Sequence, residues 1–288
     1  MNFSLIENQI NIAHLDKYAA IIGENPSNGA RSPKLWNAVF SKSGLNCVMV
    51  PLDVTKDKII DLLNNLSDDD DFIGGAIAVP YKEVVAEWLG GNITLEAKKI
   101  GAVNCLYRDP NGGLQGTNTD GEASLVTFKN KFESIKSKSI MILGIGGAGK
   151  AVASYFATSA NSTIIISRSK EGKEYADKIN ARWGNWSQID DHIDTVDVVV
   201  NCTSVGFGDQ EMASPLSEEQ IANLKKSTIV FDIIYQPVKT KLLEIADKSG
   251  ISTLNGLEMN LEQAVLAYQY AVKPNKGLDV IRKLMSQI

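Results

Sequence analysis

A chain of 288 residues is long for one hydrophobic core and comfortable for two domains. Apolar residues make up 44% and charged residues 22%, the balance of a soluble globular protein. The net charge of -5 leaves no broad basic field, which argues against nucleic acid as a partner and requires a local positive site for any anionic ligand.

In chain order, short apolar runs alternate with helical patterns. Tyr18–Gly23, Cys47–Leu52 and Phe72–Val79 read as buried strands, separated by helical segments at Pro33–Ser43, Lys56–Leu66 and Tyr81–Leu89. Ser32-Pro33 reads as a helix start, with Ser as N-cap and Pro at the first helical position. Val103–Tyr107 and Leu114–Gly116 flank Pro110-Asn111-Gly112-Gly113, which predicts a hairpin. The run Asp68–Asp71 reads as a solvated loop, since four like charges repel. Gly121–Phe132 is helical and, with the polar Lys136–Lys138, forms the expected hinge. A second set of strands follows at Ile140–Leu143, Thr163–Ser167, Val196–Asn201 and Ile229–Ile233, with a helix at Ala148–Ser159. Leu257–Ala271 and Lys276–Ser286 read as two terminal helices. The alternation predicts an α/β fold with largely parallel sheets.

Cys47, Cys105 and Cys202 are far apart and lie in apolar runs, so buried thiols are expected rather than disulfides. No Cys/His cluster supports a metal. His14 and His192, the only histidines, read as surface residues. The N-terminus lacks the pattern of a signal peptide and no apolar run reaches membrane-spanning length, so a cytoplasmic protein without membrane contact is expected.

The strand Ile140–Leu143 leads into Gly144-Ile145-Gly146-Gly147-Ala148-Gly149, a G-x-G-x-x-G turn before a helix of small residues. The first Gly permits a tight turn, the second admits a pyrophosphate to the backbone, and the third lets helix and strand pack closely. The next strand ends in Ser167-Arg168-Ser169, where an NAD site usually places an acid. A guanidinium binds a 2′-phosphate that a carboxylate would repel, so NADP is expected over NAD. Upstream, Lys82 follows Pro80 at a strand end and Asp120 precedes a helix. Such a lysine can move a proton if held against a reacting oxygen. Spacing alone describes a surface Lys and a helix-capping Asp equally well.

Nine collinear segments carry more than any single motif. They are Asn25-Pro26 through Ser32-Pro33, Ala76–Lys82, Gly101-Ala102-Val103-Asn104, Asn118-Thr119-Asp120-Gly121, Gly144–Gly149, Ser167-Arg168-Ser169, Asn201–Gly206, Asp232–Gln236 and Gly256–Gln263. Together they resemble the shikimate/quinate dehydrogenase family over nearly the whole chain. The resemblance implies a substrate domain over 1–120, an NADP-binding Rossmann domain over 121–255, and C-terminal helices over 256–288 that return to the first domain. It implies Lys82 and Asp120 as the catalytic pair. Asn104 and Gln263 would bond the ring hydroxyls of a small cyclic hydroxy acid, and Ser32 and Tyr235 would face its carboxylate. Gly144, Gly146, Gly147, Ala148, Gly149, Ser167, Arg168, Ser169, Asn201, Thr203, Gly256 and Met259 would lie along the cofactor. The implied activity is NADP-dependent reduction of 3-dehydroshikimate to shikimate, by a monomer or a homodimer, in aromatic amino acid biosynthesis.

The match departs at Ala30, Ala76 and Ala78, where the family typically has Ser, Asn and Thr. Arg31, Ser27 or Asn28 could compensate, or the substrate could be an analogue such as quinate or aminoshikimate. A non-catalytic ligand sensor, or another two-domain NADP enzyme, would share the fold.

Overall fold

The computed structural model describes residues 2–288. The chain forms two compact α/β units. One holds the residues up to Thr119 together with Leu261–Ile288, and the other is Asp120–Asn260. The first unit contains β1 (Lys17–Gly23), α1 (Ser32–Lys42), β2 (Cys47–Asp53), α2 (Ile59–Ser67), β3 (Phe72–Ile77), α3 (Lys82–Leu89), α4 (Leu95–Ile100), β4 (Cys105–Arg108) and β5 (Leu114–Thr117). The second contains α5 (Asp120–Phe132), β6 (Ser139–Leu143), α6 (Gly147–Ser159), β7 (Ser162–Ser167), α7 (Lys170–Lys178), β8 (Arg182–Asn185), β9 (Val198–Asn201), α8 (Glu218–Ala222), β10 (Ile229–Asp232), α9 (Lys241–Lys248) and β11 (Ser252–Leu254). Helix α10 (Leu257–Val272) carries the chain back into the first unit, which α11 (Leu278–Met285) completes.

The first sheet has the order β2-β1-β3-β4-β5. Strand β1 is parallel to β2 and β3, whereas β4 runs antiparallel to both β3 and β5. The hairpin turn reverses the chain, so this sheet is mixed rather than largely parallel. Alternate residues of β1 face opposite cores. Tyr18, Ala20 and Ile22 pack with Leu62, Leu66 and Val85 of α2 and α3. Ala19 and Ile21 pack with Leu35 and Trp36 of α1 and with Val265 and Tyr268 of α10. There Trp36 meets Tyr268 edge-on at 5.2 Å between ring centroids. Such aromatic pairs add about 0.5–1.5 kcal/mol beyond area burial. A two-point ion pair from Arg282 to the buried Glu262, at 2.7 and 2.8 Å, fastens α11 to α10.

The second sheet is entirely parallel, in the order β11-β10-β9-β6-β7-β8. The chain steps outward from β6 to β7 and β8, then crosses back to β9 beside β6. That reversal is the topological switch point of a Rossmann-type sheet, and its crevice lies beyond the carboxyl ends of the strands.

Four local features differ from expectation. Ser32 is the first helical residue rather than the N-cap: Arg31 already has helical dihedrals, Leu35 N donates to its carbonyl, and no side chain caps the helix. Strand β3 stops at Ile77, because the chain turns through Val79-Pro80 and Tyr81 N donates to the Ala78 carbonyl. The Asp68–Asp71 run is only partly solvated. Asp69 is half-buried and accepts from Tyr18 at 2.9 Å, while the Arg108 guanidinium donates to the carbonyls of Leu66, Ser67, Asp69, Phe72 and Gly112. The edge strands β8 and β11 were not foreseen. They are only four and three residues long, too short to show a period.

Candidate functional site

In the first unit, the candidate residues lie at the start of α1, at the start of α3 after β3, just before β4, and in α10. Lys82 opens α3, directly after the buried Tyr81. The Tyr81 hydroxyl donates to the Val54 carbonyl at 2.8 Å, which anchors the turn that presents Lys82. The Lys82 carbonyl accepts from Val103 N at 2.8 Å, so its backbone is fastened one residue before Asn104.

Asn104 is buried and wired to Thr119. Its Oδ1 accepts from Thr119 N at 2.8 Å, and its Nδ2 donates to Thr119 Oγ1 at 3.0 Å. Thr119 Oγ1 in turn donates to the Gln263 carbonyl at 3.1 Å. Asn118 Nδ2 donates to the Ala102 carbonyl at 3.0 Å. Within this unit Thr119 therefore ties the Asn104 side chain to the Gln263 backbone, and the Lys82 backbone is bonded to the residue before Asn104. Thr119 was quoted in the sequence motif but given no role. Ser32 and Gln263 are both buried, so neither is an ordinary helix-surface residue.

The three departures share one environment. Ala30, Ala76 and Ala78 all pack on the apolar α1–α10 side of the sheet. Gly23 lies so close that a Cβ built on it would stand 2.9 Å from the Ala78 Cβ. Ser27, one candidate to replace their lost hydroxyls, is committed elsewhere: its backbone N donates to the buried Asp53 carboxylate at 2.8 Å, and its hydroxyl donates to the same group. Asn28 is exposed.

In the second unit, Asp120 is buried at the first position of α5, where the helix N-terminus favours an anion. The next residue must be small, because a Cβ on Gly121 would meet the Tyr155 ring at 2.3 Å and the Ala151 carbonyl at 2.7 Å. The glycine turn has the geometry its spacing implies. Gly144 has φ +90°, a conformation that side chains resist, and its side faces Thr203. A Cβ on Gly149 would collide with the Gly144 carbonyl at 2.5 Å, whereas one on Gly146 meets no atom within 4 Å. Open space therefore lies in front of the N-terminus of α6, where Gly147 and Ala148 are half-buried. That arrangement fits a pyrophosphate.

At the end of β7, Arg168 and Ser169 are exposed, as a phosphate contact requires. Ser167 is different. It is buried, its hydroxyl accepts from the Trp183 indole at 2.9 Å, and it lies under Gly172. Its hydroxyl holds the strand end in shape. Asn201 is likewise fully buried, with its amide used internally: Nδ2 donates to Asp232 at 3.1 Å and to the Val205 carbonyl at 3.2 Å, and Oδ1 accepts from Thr203 N and Oγ1. Tyr235 is half-buried after β10, while Gly256 and Met259 are buried around the start of α10. A Cβ on Gly256 would stand 2.0 Å from the Ile233 carbonyl, so only glycine fits.

Cys202 is not placed for nucleophilic work. Desolvation of its thiol, with the Asp232 and Asp120 carboxylates nearby, holds it protonated far above the usual thiol range. Burial alone does the same to Cys105. All three cysteines are free. Among the described residues, no group of three or more His, Cys, Asp or Glu is placed to hold a metal ion. No helix of the described chain is long and apolar enough to cross a membrane.

A six-stranded parallel sheet with a glycine turn at its switch point, joined to a unit built on a five-stranded mixed sheet, defines a two-domain protein of the Rossmann class. The family models described as shikimate dehydrogenase substrate binding domain and shikimate/quinate 5-dehydrogenase match residues 21–106 and 127–247. The chain is 32% identical over 269 residues to a shikimate dehydrogenase (NADP(+)) of Pyrococcus abyssi, covering 93% of this chain and 97% of that one. It is similar to the crystal structure of shikimate dehydrogenase from Aquifex aeolicus, with TM-score 0.83, 30% identity, and coverage of 96% and 99% of the two chains. A shikimate dehydrogenase crystallised in complex with NADP+ gives TM-score 0.80 at 29% identity, over 94% and 95%. The chain belongs to the shikimate dehydrogenase family.

Proposed function

We propose that this protein is an NADP-dependent oxidoreductase that interconverts 3-dehydroshikimate and shikimate, or a close cyclic analogue. The observation that carries the reading is the bonded cluster Asn104–Thr119–Gln263 with Lys82 on the adjoining backbone. It is a polar, largely buried set suited to ring hydroxyls, and the Lys82 backbone is bonded to the residue before Asn104. We assign the residues up to Thr119 and the C-terminal helices to the substrate, and the middle of the chain to the dinucleotide.

The cofactor supplies or accepts the hydride when bound. Lys82 donates a proton to the carbonyl oxygen during reduction and removes it during oxidation, and Asp120 is assigned as the second catalytic residue. Asn104 and Gln263 orient the ring; Ser32 and Tyr235 face the acid group. Gly144, Gly146, Gly147, Ala148 and Gly149 hold the pyrophosphate, and Arg168 with Ser169 holds the 2′-phosphate. Ser167, Asn201 and Thr203 shape the walls of the cofactor site, and Gly256 and Met259 line its nicotinamide end. The reading is of a cytoplasmic enzyme in aromatic amino acid biosynthesis, acting on a small molecule as a monomer or homodimer, with no nucleic acid partner. Oxidation of NADPH with 3-dehydroshikimate, followed by loss of nicotinamide absorbance, tests the activity. Silence with this substrate, quinate and aminoshikimate in either direction removes it.

Two variants refine the reading. Arg168→Ala is expected to weaken NADPH binding by about 10–100-fold, the loss of one charge-assisted contact, and to leave NADH unchanged. Equal loss for both cofactors, measured by fluorescence titration, contradicts the assignment. The second reading, an analogue with a differently placed acid group, is favoured by the apolar setting of Ala30, Ala76 and Ala78. Ala78→Thr restores a hydroxyl and is expected to lower the KM for shikimate by about tenfold, the worth of one hydrogen bond to a charged group. No change for shikimate, with good turnover of an analogue by the unmodified enzyme, decides for the second reading.

A further inference from the structure

Asp232 ends β10 and is completely buried, yet the chemistry above gives it no task. Its Oδ1 accepts from Asn201 Nδ2 and from Ile234 N, both at 3.1 Å, and its Oδ2 accepts from Thr240 Oγ1 at 2.7 Å. Each bond leads to a different part of the second unit. Through Asn201, the carboxylate fixes the loop after β9, because Asn201 Oδ1 then receives Thr203 N and Oγ1, and Thr203 Oγ1 receives Val205 N at 3.1 Å. That loop bears on the glycine turn: a Cβ on Gly144 would meet the Thr203 methyl at 2.8 Å and Thr203 N at 3.2 Å. Through Ile234, it fixes the start of the segment carrying Tyr235, and the Ile234 carbonyl accepts from Gly256 N at 3.0 Å. Through Thr240, it fixes the N-cap of α9.

We propose that Asp232 is a positioning residue for dinucleotide binding, a single buried carboxylate that sets the loops after β6, β9 and β10 in one arrangement. A buried charge is retained only against a strong need, and three donors from distinct segments supply that need. The placement at the carboxyl ends of the central strands is where an open parallel sheet receives its ligand. Burial also raises this carboxyl to about 6, in keeping with its enclosure. The inference rests on the reading of this crevice as the NADP site.

The test uses the full-length protein and NADPH as the probe. Asp232→Ala leaves three donors unpaired and is expected to raise the NADPH dissociation constant by about tenfold or more, measured well below the melting temperature. Asp232→Asn keeps an acceptor for Asn201 and Ile234 and is expected to return affinity to within about threefold of the original, since one lost charge-assisted bond is not a lost network. In the cofactor-free protein, amide exchange at Thr203 and Val205 is expected to accelerate in Asp232→Ala. A purely structural residue would lower the melting temperature yet leave affinity and these two amides unchanged in the folded protein; that result overturns the proposal. If Asp232→Ala does not fold, Thr240→Val against Thr240→Ser makes the same comparison: loss with Val and recovery with Ser support it, and equal affinities refute it. Failure of the unmodified protein to bind NADPH sinks instead the reading of the crevice.

Discussion

Lys82→Met is expected to cut turnover by about 10²–10⁴-fold, the usual contribution of a positioned proton donor, with little change in the KM for either substrate. Methionine keeps most of the aliphatic stem and removes the ammonium, so the helix start and its anchors should persist. Tyr81 still bonds Val54, and the residue 82 carbonyl still receives Val103. A matched fall in kcat and kcat/KM signifies an interaction made in the transition state. A rise in KM at constant kcat would instead make Lys82 a binding residue. Undiminished turnover would remove proton transfer from its duties altogether. Steady-state kinetics in both directions distinguish the three.

Gly149→Ala should damage the protein in two ways at once. The added methyl would lie 2.5 Å from the Gly144 carbonyl oxygen and 3.1 Å from its carbon, both backbone atoms that cannot swing aside. Either α6 lifts from the turn or the turn opens. Overpacking of this kind costs about 1–3 kcal/mol, and NADPH affinity should fall with it. Gly146→Ala provides the contrast. Its methyl meets nothing within 4 Å, so stability should stay within about 0.5 kcal/mol while NADPH binding still weakens. Denaturant melts and cofactor titrations of the two variants check this. Equal destabilisation would show that Gly146 is constrained by the fold rather than by room for a ligand.

Much of this arrangement was legible because its signals are local. The glycine spacing, the strand before it and the helix after it fix a turn whose geometry depends on neighbours in sequence. The hairpin at Pro110–Gly113 is equally local. Less legible were residues defined by distant partners. Asp232 looks like any acid at a strand end until Asn201 and Thr240 arrive on other segments. Asp53 gives no sign that it will hold Ser27, and so no sign that Ser27 is unavailable to a substrate. Ser167 and Asn201 share their motif with exposed neighbours, and only burial shows that their hydroxyl and amide are spent on internal bonds. The short edge strands β8 and β11 depend on the sheet beside them more than on their own residues.

The first unit is assembled from both ends of the chain, and this orders its biosynthesis. A ribosome releases Asp120–Asn260 as one uninterrupted stretch, while the earlier sheet still lacks α10 and α11 over one face. Trp36 and Phe40 remain wet until Tyr268 is translated to cover them. The middle of the polypeptide can mature while its beginning waits for α10 and α11, and a chain cut short before them leaves a greasy sheet for chaperones to shield.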